Sequence, residues 1–155
     1  MEILVCTVSD RASRGDYEDR SGPAVITILA EAFPDARIEG VVVPDEKPAI
    51  LNVFVSHTQS DFIITTGGTG ISPRDVTPEA TLEYCDRLVP GIAEMLRMES
   101  LKETPYAALS RGVAGMKGKG IIINLPGSVK AATFCTRLLV PLLPHALAMR
   151  EGKGH

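Results

Sequence analysis

The residues that could do chemistry collect in one stretch, Thr66-Gly67-Gly68-Thr69-Gly70-Ile71-Ser72-Pro73-Arg74-Asp75-Val76-Thr77-Pro78. Three glycines in four residues let the backbone approach a ligand closely and aim successive N–H groups at an anion. Thr66 and Thr69 add hydroxyls. The stretch is not a P-loop, because it lacks the Gly-Lys-Ser/Thr ending, and it is not the dinucleotide pattern G-x-G-x-x-G. A plain strand-to-helix turn is the alternative, but such connections usually take only ~2–6 residues.

Three carboxylates follow strand-like runs: Asp10, Asp45 and Asp75. Singly, each could cap a turn. Beside a glycine loop suited to anions, the set suggests a hard cation, since Mg²⁺ takes one or two carboxylates plus substrate phosphates. Arg11, Arg20, Arg74 and Lys130 are candidate phosphate partners, or solvated surface cations. Ser110-Arg111-Gly112 is ambiguous between turn and ligand contact. No Ser-His-Asp or Cys-His arrangement can be built from His57, His145 and His155.

These residues need elements to hold them. Ile3 to Val8, Ile38 to Val43, Phe62 to Thr65 and Gly120 to Asn124 read as strands, apolar enough to be covered on both faces. Val25, Ile28, Leu29, Ala32 and Phe33 form one helical stripe behind Gly22-Pro23. Ile50, Val53, Phe54 and His57 form a second. Thr77-Pro78-Glu79 reads as a helix start with a hydroxyl cap. Ile92, Met95 and Leu96 mark a further helix. Ala132, Cys135 and Leu139 mark the last, which Pro141 and Pro144 should bend or break. Val113 to Ile121 reads as a hairpin with a glycine turn. The expected fold is α/β: three α/β/α layers around a mostly parallel mixed sheet with a small antiparallel hairpin. In such sheets ligands bind beyond the carboxyl ends of the strands. Ser9-Asp10-Arg11, Pro44-Asp45-Glu46-Lys47, the glycine loop and Asn124-Leu125-Pro126-Gly127-Ser128 should therefore share one rim.

Composition narrows the partners. The 155 residues suit a single domain, 1–155, with a net charge of −3, which argues against nucleic acid. Cys6, Cys85 and Cys135 lie far apart and form no metal or disulfide pattern. Met1-Glu2-Ile3-Leu4-Val5 reads as a strand start with no basic leader. No apolar stretch approaches the ~20 residues of a membrane helix. A cytoplasmic protein with no membrane partner is expected.

Thr66-Gly67-Gly68-Thr69-Gly70 followed by Arg74-Asp75-Val76-Thr77-Pro78-Glu79-Ala80 resembles the signature of the molybdopterin adenylyltransferase family. Its relatives include the pterin-binding domains of plant and animal molybdenum-cofactor enzymes. The resemblance extends to Val8-Ser9-Asp10-Arg11, Val43-Pro44-Asp45-Glu46, Leu109-Ser110-Arg111 and Asn124-Leu125-Pro126-Gly127, in the family's order over nearly the whole chain. It implies a homotrimer that joins ATP and molybdopterin, with Mg²⁺, to give adenylylated molybdopterin and pyrophosphate. A molybdate-inserting partner protein is a further possibility. The family's two acids fall on Asp45 and Asp75, which would be catalytic and hold the metal. Substrate contacts would fall on Ser9, Asp10, Gly67, Gly68, Thr69, Gly70, Ser110, Pro126, Gly127 and Ser128. Val129 departs from the proline that often follows Leu-Pro-Gly-Ser. Pro78 favours the adenylyltransferase branch over a second branch that usually lacks it. The rival reading is a trimeric molybdopterin-binding scaffold without catalysis, which would need no pair of acids.

Overall fold

The computed structural model describes residues 1–153, so His155 lies outside the described residues. Six strands form one sheet in the order β2-β1-β3-β6-β5-β4. β1 (Glu2–Val8), β2 (Arg37–Val43), β3 (Phe62–Thr66) and β6 (Gly120–Leu125) are mutually parallel. β5 (Ala114–Lys117) runs antiparallel to β6 as a hairpin turning at Gly118, φ +57°, and to the two-residue β4 (Arg87–Leu88). The hairpin was legible in the sequence, whereas β4 is too short to leave a periodic signal.

Alternate residues along each central strand serve two cores. Ile3, Val5, Phe62, Ile64, Ile121 and Ile123 face α2 (Ser21–Ala32), α5 (Pro90–Glu103), α6 (Val129–Leu139) and α7 (Leu142–Arg150). Leu4, Cys6, Ile63 and Ile122 face α3 (Lys47–Ser56) and α4 (Thr77–Tyr84). Both faces are covered, so these strands read as continuous apolar runs. β2 is the exception to the expected double cover. It is an edge strand whose Glu39, Gly40 and Val42 are exposed, because only β1 pairs with it.

Two local expectations need correction. Thr77 does not cap α4: it is the first helical residue, and its hydroxyl donates to the Gly67 carbonyl at 2.9 Å. The stretch from Ser9 to Gly22, whose polar residues and glycine read as a loop, begins with a helical turn, α1 (Asp10–Ser13), capped by the Ser9 hydroxyl. A 3₁₀ turn, Pro105–Leu109, was likewise not anticipated. The proline break fell as expected, with α6 and α7 bent by 50°. Among the described residues no single helix is long and apolar enough to cross a membrane, although that bent pair passes such a test together.

The parallel strands all end at one rim, where Val8 pairs with Val43, Thr7 with Thr66, and Thr66 with Leu125. Gly67 leaves β3 at φ +98°, and a Cβ there would collide with the Val8 carbonyl oxygen. Gly67→Ala should therefore cost at least about 2 kcal/mol, combining left-handed strain with overpacking. Gly91 in α5 has open space around it, and Gly91→Ala should be neutral or stabilising by up to ~1 kcal/mol. Urea melts of the two variants would check the contrast.

Candidate functional site

The rim is tied together by backbone. Ser9 N–H donates to Val43 O at 2.8 Å, Gly67 N–H to Leu125 O at 3.1 Å, and Thr77 N–H to Gly68 O at 3.1 Å. The Thr66 hydroxyl donates to Pro126 O at 2.7 Å. A Cβ on Gly127 would stand 3.1 Å from Gly67 Cα, so the two glycine turns touch. Among the described residues, none accepts a hydrogen bond from the N–H of Gly68, Thr69 or Gly70. These are the donors the sequence suggested for an anion.

Two cavities flank this junction and share Gly68, Gly127 and Ser128. The first encloses about 440 Å³ and contains Asp75, Thr69, Gly70, Ser110 and Pro126 in its wall. The rest of its wall is largely apolar, from α5 and the 3₁₀ turn, with Arg97 as its one cationic side chain among the described residues. The second encloses about 460 Å³ and contains Asp45, Ser9, Gly67, Tyr17 and Arg20. The N-terminus of α6 opens onto it through Val129, and helix N-termini favour anions, whereas that of α2 is occupied by the Asp19 carboxylate, which accepts the Gly22 N–H at 3.1 Å and also lines this cavity. Of the residues expected at the site, Asp10 lines neither cavity.

Asp10 instead organises its neighbours. Its carboxylate accepts two bonds at 2.8 Å and one at 3.0 Å from the Arg74 guanidinium. It also accepts the Asp45 N–H at 3.0 Å, while its own N–H donates to Asp45 Oδ2 at 2.7 Å. Asp75 Oδ2 accepts the Ser72 N–H at 2.9 Å. Each of Asp45 and Asp75 thus keeps its Oδ1 without a protein donor among the described residues. Asp45 Oδ1 lies 3.2 Å from where a Gly68 Cβ would be, and Asp75 Oδ2 lies 2.9 Å from a Gly70 Cβ. Both carboxylates therefore press against the glycine loop. No cluster of three His, Cys, Asp or Glu side chains occurs among the described residues. The donor set is two carboxylates with room for phosphates, which fits Mg²⁺ and not a metal held by protein alone.

Of the other candidate cations, Arg20 lines the second cavity and Arg74 pairs with Asp10. Arg11 lies over the Tyr17 ring at 4.9 Å, and Lys130 is exposed. Burial pushes the Cys6 thiol up to about 12 and that of Cys85 up to about 11, which leaves both protonated and unreactive. Sequence reasoning missed the role of Asn124. Its amide donates to Thr65 Oγ1 at 3.0 Å and Thr81 Oγ1 at 2.9 Å, and its Oδ1 accepts the Val113 N–H at 3.2 Å. The signal was a carboxamide ending the apolar run Ile121-Ile122-Ile123, because a buried amide demands partners. Arg111 stands in the sequence as one residue of an ambiguous stretch, yet it grips the glycine loop: its Nε donates to Gly70 O at 2.7 Å.

The two linked aspartates titrate in opposite directions. Burial, together with the Asp10 and Asp75 charges, raises the Asp45 carboxyl above its ordinary value, against the Asp10 N–H. Burial also pulls Asp10 upward, but the Arg74 bonds and charge and the Asp45 N–H outweigh it and leave Asp10 low. A raised carboxyl costs stability when ionised, and a lowered one supplies stability above its unfolded value of ~3.9. Asp45→Asn should therefore raise the melting temperature at pH 7, with the gain fading as pH falls towards 4. Asp10→Asn should lower it at pH 7, and that loss should vanish in acid as pH drops through the folded value. Thermal melts from pH 3 to 8 would check both signs.

Residues 4–145 match the family model described as "Probable molybdopterin binding domain". The molybdopterin adenylyltransferase of Helicobacter pylori J99 is 41% identical over 98% of this chain and 89% of its own length. That of Escherichia coli K12 is 40% identical over 84% of this chain and 69% of its own. The Drosophila melanogaster molybdenum cofactor synthesis protein cinnamon is 42% identical, but the chain spans only 24% of its length. Among solved structures, the molybdopterin biosynthesis enzyme MoaB of Thermus thermophilus superposes with a TM-score of 0.87 at 46% identity, covering 98% of this chain and 97% of that one. With the motif-bearing loops on one rim and the Helicobacter pylori and Thermus thermophilus relatives matched along most of both chains, the chain belongs to the family of the molybdopterin adenylyltransferases.

Proposed function

We propose that this protein transfers the adenylyl group of ATP to the phosphate of molybdopterin and releases pyrophosphate, a step of molybdenum cofactor biosynthesis. The observation that carries the reading is the pair of cavities meeting at Gly68, Gly127 and Ser128, with Asp75 in one wall and Asp45 in the other. In-line displacement at phosphorus needs the attacking and leaving oxygens on opposite sides of the transferred group. Two cavities joined at an N–H-lined glycine turn offer that arrangement, one for each substrate.

The pterin phosphate is largely dianionic at neutral pH, with a second pKa near ~6, and requires no general base. Its oxygen forms a bond to the α-phosphorus while the bond to the β-phosphate bridging oxygen breaks, and pyrophosphate leaves with the electron pair. The obstacle is repulsion between two polyanions. The Gly68, Thr69 and Gly70 N–H groups and the N-terminus of α6 would lower it by fixed dipoles that need no reorganisation. Asp45 and Asp75 would hold Mg²⁺ through their free Oδ1 atoms, and the ion when bound would neutralise the nucleotide phosphates. Ser9, Ser110 and Ser128 would place hydroxyls along the substrates, and Pro126 and Gly127 would close the junction. Asp10 would act behind Asp45 instead of on a ligand.

The proposal includes a homotrimer in the cytoplasm, working beside a molybdate-inserting protein. Exposed Val55, Leu88, Met98 and Leu101 supply apolar surface for subunit contact, and sedimentation would measure the assembly. Single-turnover assays with molybdopterin, Mg²⁺ and α-labelled ATP test the chemistry. Label should reach the pterin in wild type, fall by about 10²–10³-fold in Asp45→Ala and Asp75→Ala, and stop when EDTA removes Mg²⁺. Tight pterin binding with no label transfer in wild type would instead identify the non-catalytic scaffold.

A further inference from the structure

Arg111 sits at the start of the segment that leads into β5, in a part of the chain otherwise remote from the glycine loop. Its contacts nevertheless all reach that loop and the helix after it. The backbone N–H of Arg111 donates to Thr69 O at 2.8 Å. Its Nε donates to Gly70 O at 2.7 Å, and its Nη2 donates to Asp75 O at 2.7 Å. Nη1 pairs with the Glu79 carboxylate on the first turn of α4. Four anchors therefore lie along one loop, at residues 69, 70, 75 and 79. They flank the exposed segment 71–74, which is otherwise tied to the body of the protein by Arg74 on Asp10.

The geometry points to Arg111 as the positioning residue for Asp75. A guanidinium is a planar fork with fixed donor directions, so satisfying Gly70 O, Asp75 O and Glu79 together fixes the distance between both ends of the loop. The Asp75 carboxylate is left free by this arrangement, because Arg111 holds the carbonyl oxygen of that residue and not its side chain. Glu79 sets the roll of the fork. The Arg111 hydrogen bond in turn holds the Glu79 carboxyl below its ordinary value, so the pair stays charged throughout the neutral range. A lysine would keep the charge but provides no fork, and it could serve only one of these three acceptors well. Misplacing a reacting group by about 1 Å can cost ~10²-fold in rate, so loosening this one support should register in turnover before it registers in folding.

This inference rests on the reading of Asp75 given above, and a double-mutant cycle separates the two. Single-turnover label transfer would be measured for Arg111→Lys, Asp75→Ala and the double variant, with thermal melts and ATP and pterin titrations on each. Expected is a kcat loss of about 10–100-fold in Arg111→Lys with KM for both substrates within about twofold and the melting temperature little changed. In the Asp75→Ala background the same change should cost nothing further, since the residue acts only through Asp75. Glu79→Gln, which removes the charge but leaves the fold's backbone anchors, should show the same pattern at smaller amplitude and serves if Arg111→Lys fails to fold. Unchanged kcat in both variants, or losses that multiply with that of Asp75→Ala, would overturn the positioning role. Full turnover in Asp75→Ala would instead overturn the reading of Asp75 itself.

Discussion

The constraint on which the site depends is the exit of β3 from the sheet. Between β1 and β6 the chain has no room for a side chain: Gly67 is against the Val8 carbonyl on one side and against Gly127 on the other. Two successive residues with positive φ, Gly67 at +98° and Gly68 at +64°, turn the backbone there at little cost, as only glycine can. The turn leaves the next N–H groups without an acceptor among the described residues and presses Asp45 and Asp75 against the loop. A larger residue at either position would separate the strand ends and with them the two cavities. The anion-ready backbone and the close carboxylates are thus consequences of one steric fact.

Beneath that turn lies a polar knot that fixes its height. Asn124, Thr65 and Thr81 are all nearly inaccessible, and the Asn124 amide directs its donors to the two threonines. The Thr81 hydroxyl donates to Thr77 O at 2.9 Å, and the Thr77 hydroxyl donates to Gly67 O. A chain of hydrogen bonds therefore runs from β6 through α4 to the glycine turn. Every member is satisfied, so the network orders the interior and avoids the penalty of a buried unpaired group.

Much of this was legible in the sequence. β1, β3 and β6 followed from continuous apolar runs, because both of their faces are covered, and the hairpin followed from its glycine turn. The carboxyl-end rule then collected Asp45, Asp75 and the two glycine turns on one rim without any knowledge of the sheet order. What escaped was set by contacts distant in the chain. β2 looked like its parallel neighbours, since apolar β-branched composition does not distinguish a central strand from an edge. Thr77 carried the signature of a helix cap, yet the chain needed its hydroxyl for Gly67 O, ten residues back. Arg111 stands in a stretch ambiguous between turn and ligand contact, because most of its acceptors are carbonyl oxygens, which every sequence offers everywhere and which no pattern of side chains can announce.

The support of the two acids follows a shared logic. A carboxylate that must meet a cation cannot also be neutralised by a protein cation, yet it must be held still. Here the guanidinium groups bind beside the acids instead of on them. Arg74 neutralises Asp10, and Asp10 then steadies Asp45 through an exchange of backbone bonds. Arg111 grips the Asp75 carbonyl and the neighbouring Gly70 carbonyl. Each acid is thereby fixed through main chain while its Oδ1 stays open. The cost is visible in Asp45, whose carboxyl is raised by burial and by the nearby Asp10 and Asp75 charges. Such unrelieved charge is a stability penalty in the free protein, and under the proposed function it would become attraction towards a divalent ion.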